Sequence, residues 1–159
     1  MPPMRLLLAA LFLLLAGCQV FPLPDADEAS SDVLIIGYGA SFGFCVGYCH
    51  TEYRLTATSI TRVRTGRPAA THPTQTTVWP MDPAAWPRLR AHAERFLRQR
   101  PEAVYGCPDC ADGGAEWIEV EGPRGPYRTT FEYGRPPEVL APFHREIQQV
   151  LEGVLLPDG

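Results

Sequence analysis

The spacing of apolar residues divides the chain before any chemistry is considered. Residues 6–16 form an unbroken apolar run. After a polar stretch, Val33-Leu34-Ile35-Ile36 is apolar at every position and rich in β-branched residues. That pattern predicts a central strand buried on both faces. Residues 37–47, rich in Gly and aromatics, predict an ordered loop. Residues 53–60 alternate, which places Tyr53, Leu55 and Ala57 on one face of a half-buried strand. Gly66-Arg67-Pro68 breaks the pattern, and a polar loop runs to Pro73. The Thr-rich residues 74–79, with Val78 and Trp79, predict a third strand.

Two helices and a hairpin complete the pattern. Asp82-Pro83 is a helix-start signal, Asp as N-cap and Pro at the first position. Trp86, Leu89, Ala93, Phe96 and Leu97 then recur at helical spacing, while most arginines of the segment lie elsewhere. Pro87 disfavours helical geometry at Trp86, so the regular helix is expected to begin at 86 or 87 and to stop before Pro101. Residues 116–121 alternate, with acids at 116, 119 and 121, Ile118 and Val120 inward, and Trp117 out of phase. After a five-residue turn, 122–126, residues 127–133 return with Tyr127, Thr129, Phe131 and Tyr133 on one face, the second arm of a hairpin. Leu140, Phe143, Ile147, Val150 and Leu151 mark a second helix. The expected order is β-β-β-α-β-β-α. This is an α+β fold: an antiparallel sheet of about five strands with two helices on one face.

The first apolar run is not part of that fold. At eleven residues it is too short for a spanning helix, which needs ~20. With Arg5 before it, it fits the central region of a secretory signal. It ends in Leu15-Ala16-Gly17-Cys18, which resembles the lipobox of bacterial lipoproteins: an aliphatic residue, two small residues and a Cys. The resemblance implies that the Cys18 thiol is diacylated, that the signal is cut before it, and that the new amino group is acylated. Gln19, where Asp would favour inner-membrane retention, implies sorting to the outer membrane, with the protein facing the periplasm. Residues 1–17 are thus expected to be signal, 18–32 an acylated start and flexible tether with Pro22, Pro24 and four acids, and 33–156 one α+β domain.

Composition narrows the partners. The chain has 159 residues, and its 14 basic residues, all Arg, face 18 acidic ones. Loss of Arg5 with the signal leaves 13 basic against 18 acidic, a net of -5. A negative body gains nothing beside anionic lipid, so acyl chains must supply the attachment. The same balance argues against a nucleic-acid partner.

Chemistry rests first on the cysteines. Cys45-x3-Cys49 and Cys107-x2-Cys110 follow a secretory signal, so disulfides are the default. Local pairing closes tiny loops, each contributing about 2 kcal/mol in the chain-entropy model, against ~4 for a crossed bond such as 45–107. Crossing is favoured only if the two loops meet in space. Each pair sits in its own tight Gly/Pro loop, so local pairing is the expectation. The same residues also suit a four-cysteine zinc site, though an oxidising compartment opposes free thiolates. Cys107-Pro108-Asp109-Cys110 suits a thiol-redox pair, but a strand rather than a helix is expected after it. Cys45 to Cys49 followed by His50 resembles haem attachment with one residue too many.

Other patterns have simpler readings. Asp109, Asp112, Gly113, Gly114 and Glu116 offer oxygen ligands without a calcium-loop spacing, and suit a turn before a strand. Ser41 in Gly39-Ala40-Ser41-Phe42-Gly43 mimics a nucleophile elbow but lacks the following helix. His50, His72, His92 and His144 show no metal spacing; His92 and His144 are expected solvated or partly packed on helices. Tyr38, Phe42, Phe44 and Tyr48 either line a ligand groove or pack over the sheet edge.

Residues 41–49 and 106–120 also resemble uncharacterised bacterial lipoproteins and periplasmic domains of unknown function that carry a Cys-x3-Cys loop before a strand. No activity and no functional residue comes with that resemblance. No convergent catalytic set and no cofactor is called for. The expected function is an envelope lipoprotein, anchored through Cys18, that binds an envelope protein, peptidoglycan or a small ligand. The alternative is a thiol-redox or zinc protein using the two cysteine pairs.

Overall fold

A computed structural model describes residues 34–155; residues 1–33 and 156–159, with Cys18 and the tether, lie outside the described residues. Seven strands form one sheet: β1 Ile35–Ser41, β2 Gly47–Leu55, β3 Ser59–Arg67, β4 Gln75–Pro80, β5 Val104–Tyr105, β6 Ala115–Gly122 and β7 Gly125–Glu132. Their spatial order is β4-β3-β2-β1-β6-β7-β5. The helices are α1 Trp86–Gln99 and α2 Ala141–Leu155. Among the described residues no helix is long and apolar enough to cross a membrane.

The α+β class stands, but the sheet has seven strands rather than five and is mixed rather than antiparallel. The reasons are local. The segment expected to be a loop from Gly37 onward is mostly strand, because Gly37 and Gly39 sit opposite Glu119 and Trp117 in the β1–β6 register and make room for them. The single strand expected over 53–60 is the end of one strand and the start of the next. Between them Thr56 builds a turn without Gly or Pro. Its backbone N–H donates to Ser59 O (2.9 Å), and its Oγ1 accepts from the Ser59 N–H (3.0 Å). A Thr hydroxyl here replaces the usual turn residues. Ala57, expected on the buried face, is therefore exposed at the turn. Two residues of β5 run parallel to β7, pairing Val104 with Thr130 and Tyr105 with Phe131. No periodicity marks a strand that short. The hairpin turn is also tighter than expected, since Gly122 pairs with Gly125 and leaves only Pro123-Arg124 between.

Other expectations hold. β1 lies fourth of seven, as its apolar run implied. The regular helix starts at Trp86, with Pro87 in its first turn, but Asp82 is not its N-cap: Ala85 holds that position without a side-chain cap, and Asp82 Oδ1 instead accepts the Ala84 N–H at 2.8 Å in the turn before α1. Arg100, in the left-handed region, caps the other end and donates its N–H to Phe96 O. Ile36 and Tyr38 of β1, Tyr53 and Leu55 of β2, Ile118 and Val120 of β6 and Phe131 of β7 share one strand parity. They join Leu89, Ala93 and Phe96 of α1 and Phe143, Ile147 and Leu151 of α2 in one apolar core. The opposite parity is largely polar and carries the ion pairs Arg128–Glu119 (2.8 Å) and Arg54–Glu121 (3.7 Å).

Candidate functional site

One charged residue lies in that core. Glu116 has the parity of Ile118 and Val120 and is 1% exposed. Grouping it with the outward Glu119 and Glu121 hid this, because Glu116 is an odd number of residues from both. A buried carboxylate is tolerated only when hydrogen-bonded or paired, and three donors meet it. Tyr38 of β1 donates its hydroxyl to Oε1, His144 of α2 donates from Nε2 to the same oxygen (2.5 Å), and the Gly134 N–H donates to Oε2 (2.9 Å). Gln148, one turn after His144, donates to the Tyr38 oxygen. Burial alone would raise the Glu116 pKa. The hydrogen bonds from His144, Tyr38 and Gly134, with the attraction of His144, outweigh it and hold the carboxyl below its ordinary range. Burial, and then the bond to Glu116, push the Tyr38 phenol far above its usual value.

His144 was expected to be merely solvated or partly packed. Its signal was present: it lies four residues after Leu140 and three before Ile147, within the apolar stripe of α2. A His inside such a stripe needs a partner, and a Glu at an inward strand position is the natural one.

Tyr38 also forms part of a cavity of about 270 Å³ beside α2. Phe42, Tyr48, Tyr53 and Tyr133 share its lining with Thr51, Gln148 and Glu152. Of the four aromatics singled out in the sequence, Tyr38, Phe42 and Tyr48 come together there, while Phe44 is 88% exposed and does not. Tyr53 and Tyr133 come from elements that the linear pattern does not connect. The rings support one another: Tyr38 stacks on Tyr53 (centroids 6.1 Å apart), and Phe42 meets Tyr133 edge-on (4.8 Å).

The cysteines pair locally, as expected: Cys45 with Cys49 and Cys107 with Cys110, at Cα separations of 5.6 and 5.5 Å. Cys49 lines the aromatic cavity. The two loops nonetheless meet. Asp109 Oδ1 accepts the N–H of Gly43 (3.2 Å) and that of Gly114 (3.2 Å), so it ties the second disulfide loop to the first. Gly114, at φ +84°, lies so close to Phe42 that a Cβ there would collide with the ring, 2.6 Å from its Cδ1 and nearer still to its Cε1. The carboxyl of Glu132 accepts the Cys107 N–H (3.1 Å); that bond, with the one from Arg135, holds its pKa below the ordinary value.

The remaining candidates stay apart. Ser41 ends β1 and is followed by a bend rather than a helix. His50 stacks on Trp117 (5.2 Å), His72 meets Tyr48 edge-on (5.7 Å), and His92 stacks on Phe143 (5.6 Å). Burial draws the His92 pKa below its usual value. Among the described residues no three His, Cys, Asp or Glu side chains are grouped to hold a metal ion. Asp109 serves the loop junction, and Glu116 faces the core. No protein-family model matches this chain, and no curated protein matches it in sequence.

Proposed function

We propose that this is an acyl-anchored envelope protein whose folded domain binds a small ligand in the aromatic cavity. The observation that carries the reading is the convergence of five aromatic side chains from separate segments on one cavity, above a buried polar network. Small-molecule sites combine largely apolar walls with a few placed polar groups. Here Gln148 and Thr51 supply the polar groups, and Glu116 and His144 hold Tyr38 in position from behind. In this reading both helices cover the sheet face that carries Ile36, Tyr38 and Tyr53, and α2 forms one wall of the site. The Glu116–His144 pair spends its hydrogen bonds on holding Tyr38 and the Gly134 backbone, a supporting role that favours binding over catalysis.

The anchor belongs to the same proposal. Two or more acyl chains on Cys18 would hold the domain at the outer membrane, since each buried CH2 contributes ~0.8 kcal/mol and one chain alone binds only reversibly. The Cys18→Ser variant is expected to lose palmitate labelling and to leave the particulate fraction on envelope fractionation. Equal sedimentation of variant and parent would refute the anchor. The cavity is tested on the full acylated protein in a polyoxyethylene detergent, by thermal unfolding against a panel of small amphipathic compounds. A ligand at a hundred times its Kd stabilises by about 2.7 kcal/mol, a shift of several degrees. A Phe42→Ala variant should lose that shift. No shift with any compound, or shifts unaltered in the variant, would overturn the reading.

A further inference from the structure

The composition of the cavity wall selects among ligand classes. Of its twelve lining residues, five are aromatic and one, Glu152, is charged; no Arg, Lys or His is among them. Among the described lining residues an anionic ligand would find no cation, and the nearby Arg64 is already packed on Tyr48. A neutral ligand would gain nothing from Glu152. Aromatic faces carry the negative part of the ring quadrupole and attract cations, most strongly where water is excluded. One ring of the cavity already shows this preference: the Arg64 guanidinium lies 4.1 Å from the centroid of Tyr48. Polar lining groups, Thr51 and Gln148, are at hand for a hydroxyl or ester group of the ligand.

We infer that the cavity takes an organic ammonium ion, with its alkylated nitrogen among Tyr38, Phe42, Tyr48, Tyr53 and Tyr133 and its charge balanced by Glu152. The inference rests on the binding reading above and adds to it the charge and class of the ligand. An alkylammonium group reaches an envelope protein from two sources, a free solute or a phospholipid headgroup, and the chemistry recognised is the same.

Choline and 3,3-dimethylbutan-1-ol separate charge from shape. They are nearly identical in size, and only choline carries the positive nitrogen. Calorimetric titration of the full acylated protein, in a detergent free of ammonium groups, is expected to give choline an affinity roughly tenfold or more above that of the alcohol. Glu152→Gln, at an exposed position, should weaken choline several-fold and leave the alcohol unchanged. Tyr133→Leu, at a half-exposed ring, should weaken choline several-fold and keep the parent's unfolding midpoint. Glycerophosphocholine distinguishes the sources: binding at least as tight as choline assigns the headgroup, and weaker binding assigns the free solute. Equal affinity for choline and the alcohol overturns the cation inference, and so does choline affinity unchanged in both variants. If choline fails while a neutral compound from the thermal panel binds, the ammonium class is wrong and the cavity reading survives. If no compound binds, both fall.

Discussion

Replacing Glu116 by alanine is expected to lower the stability of the domain by about 3–5 kcal/mol, because hydrogen bonds from three donors to one buried carboxylate are lost together. The loss has three parts. The Tyr38 hydroxyl, the His144 Nε2 and the Gly134 N–H all lose their acceptor at once, and the more enclosed Tyr38 and His144 groups also carry a desolvation cost. Glu116→Gln should cost less, about 2 kcal/mol. It keeps the volume and one acceptor oxygen, but turns an amide donor toward one of the three donors. The pH dependence follows from direction alone. The folded-state pKa of Glu116 is depressed, so its contribution is fully present above the unfolded value, ~4.3, and is lost as the pH falls through the lower folded value. Urea unfolding followed by circular dichroism should therefore show the parent losing stability below about pH 4, with that part of the loss missing in Glu116→Gln. A Glu116→Ala protein within about 1 kcal/mol of the parent at pH 7 would mean that the network is not closed as described. Because Tyr38 is both the partner of Glu116 and part of the cavity lining, the glutamine variant should also weaken ligand binding while the protein remains folded.

Gly39→Ala is expected to be nearly as costly, about 3 kcal/mol, at the upper end of what overpacking a tight site produces. Gly39 lies mid-strand in β1, where glycine is normally a weakness. Here it is required by close approach. A Cβ would stand 2.7 Å from the backbone oxygen of Thr51 and 2.8 Å from Cε2 of Trp117. The first atom belongs to the neighbouring strand and moves only if the β1–β2 ladder moves. The second belongs to a ring that is 4% exposed, stacked on His50 and flanked by the Arg128 guanidinium at 5.0 Å. Neither neighbour yields cheaply. Thermal unfolding should show the drop, together with a change in tryptophan fluorescence as Trp117 leaves its slot. Trp117→Leu in the same background should recover part of the loss, because it removes the flexible half of the clash. An alanine variant with the parent's midpoint would refute the close packing of β1 against β6.

Much of the scaffold is readable from the chain. The β6–β7 hairpin has strict alternation and a Gly/Pro turn. Both helices have an apolar stripe, and α1 stops before a proline, at the end where Arg100 caps it. The local pairing of the cysteines follows from short loops in which each pair can meet without help from the rest of the fold. The misread stretches share a cause. Gly37 to Ser41 has poor strand propensity, and its place in the centre of the sheet is set by pairing with β6, more than seventy residues away, as well as with the neighbouring β2. The turn at Thr56 uses a side-chain hydroxyl, a weak signal beside Gly or Pro. The parallel pairing of Val104 and Tyr105 with β7 is two residues long, below any period that a sequence window can detect.

The candidate site divides in the same way. Sequence by itself marked three of the five cavity aromatics, Tyr38, Phe42 and Tyr48, because they cluster within a short Gly-rich segment. It also placed both disulfides, since those bonds are local. Only the tertiary structure brought in Tyr53 and Tyr133, joined the two disulfide loops through Asp109, and set the partly buried His144 against the buried Glu116. The physical reason is that apolar periodicity reports which face of one element is dry. Which buried polar group meets which, across elements, depends on strand register and on where a helix crosses the sheet. Those are decided by the packing of the whole core at once.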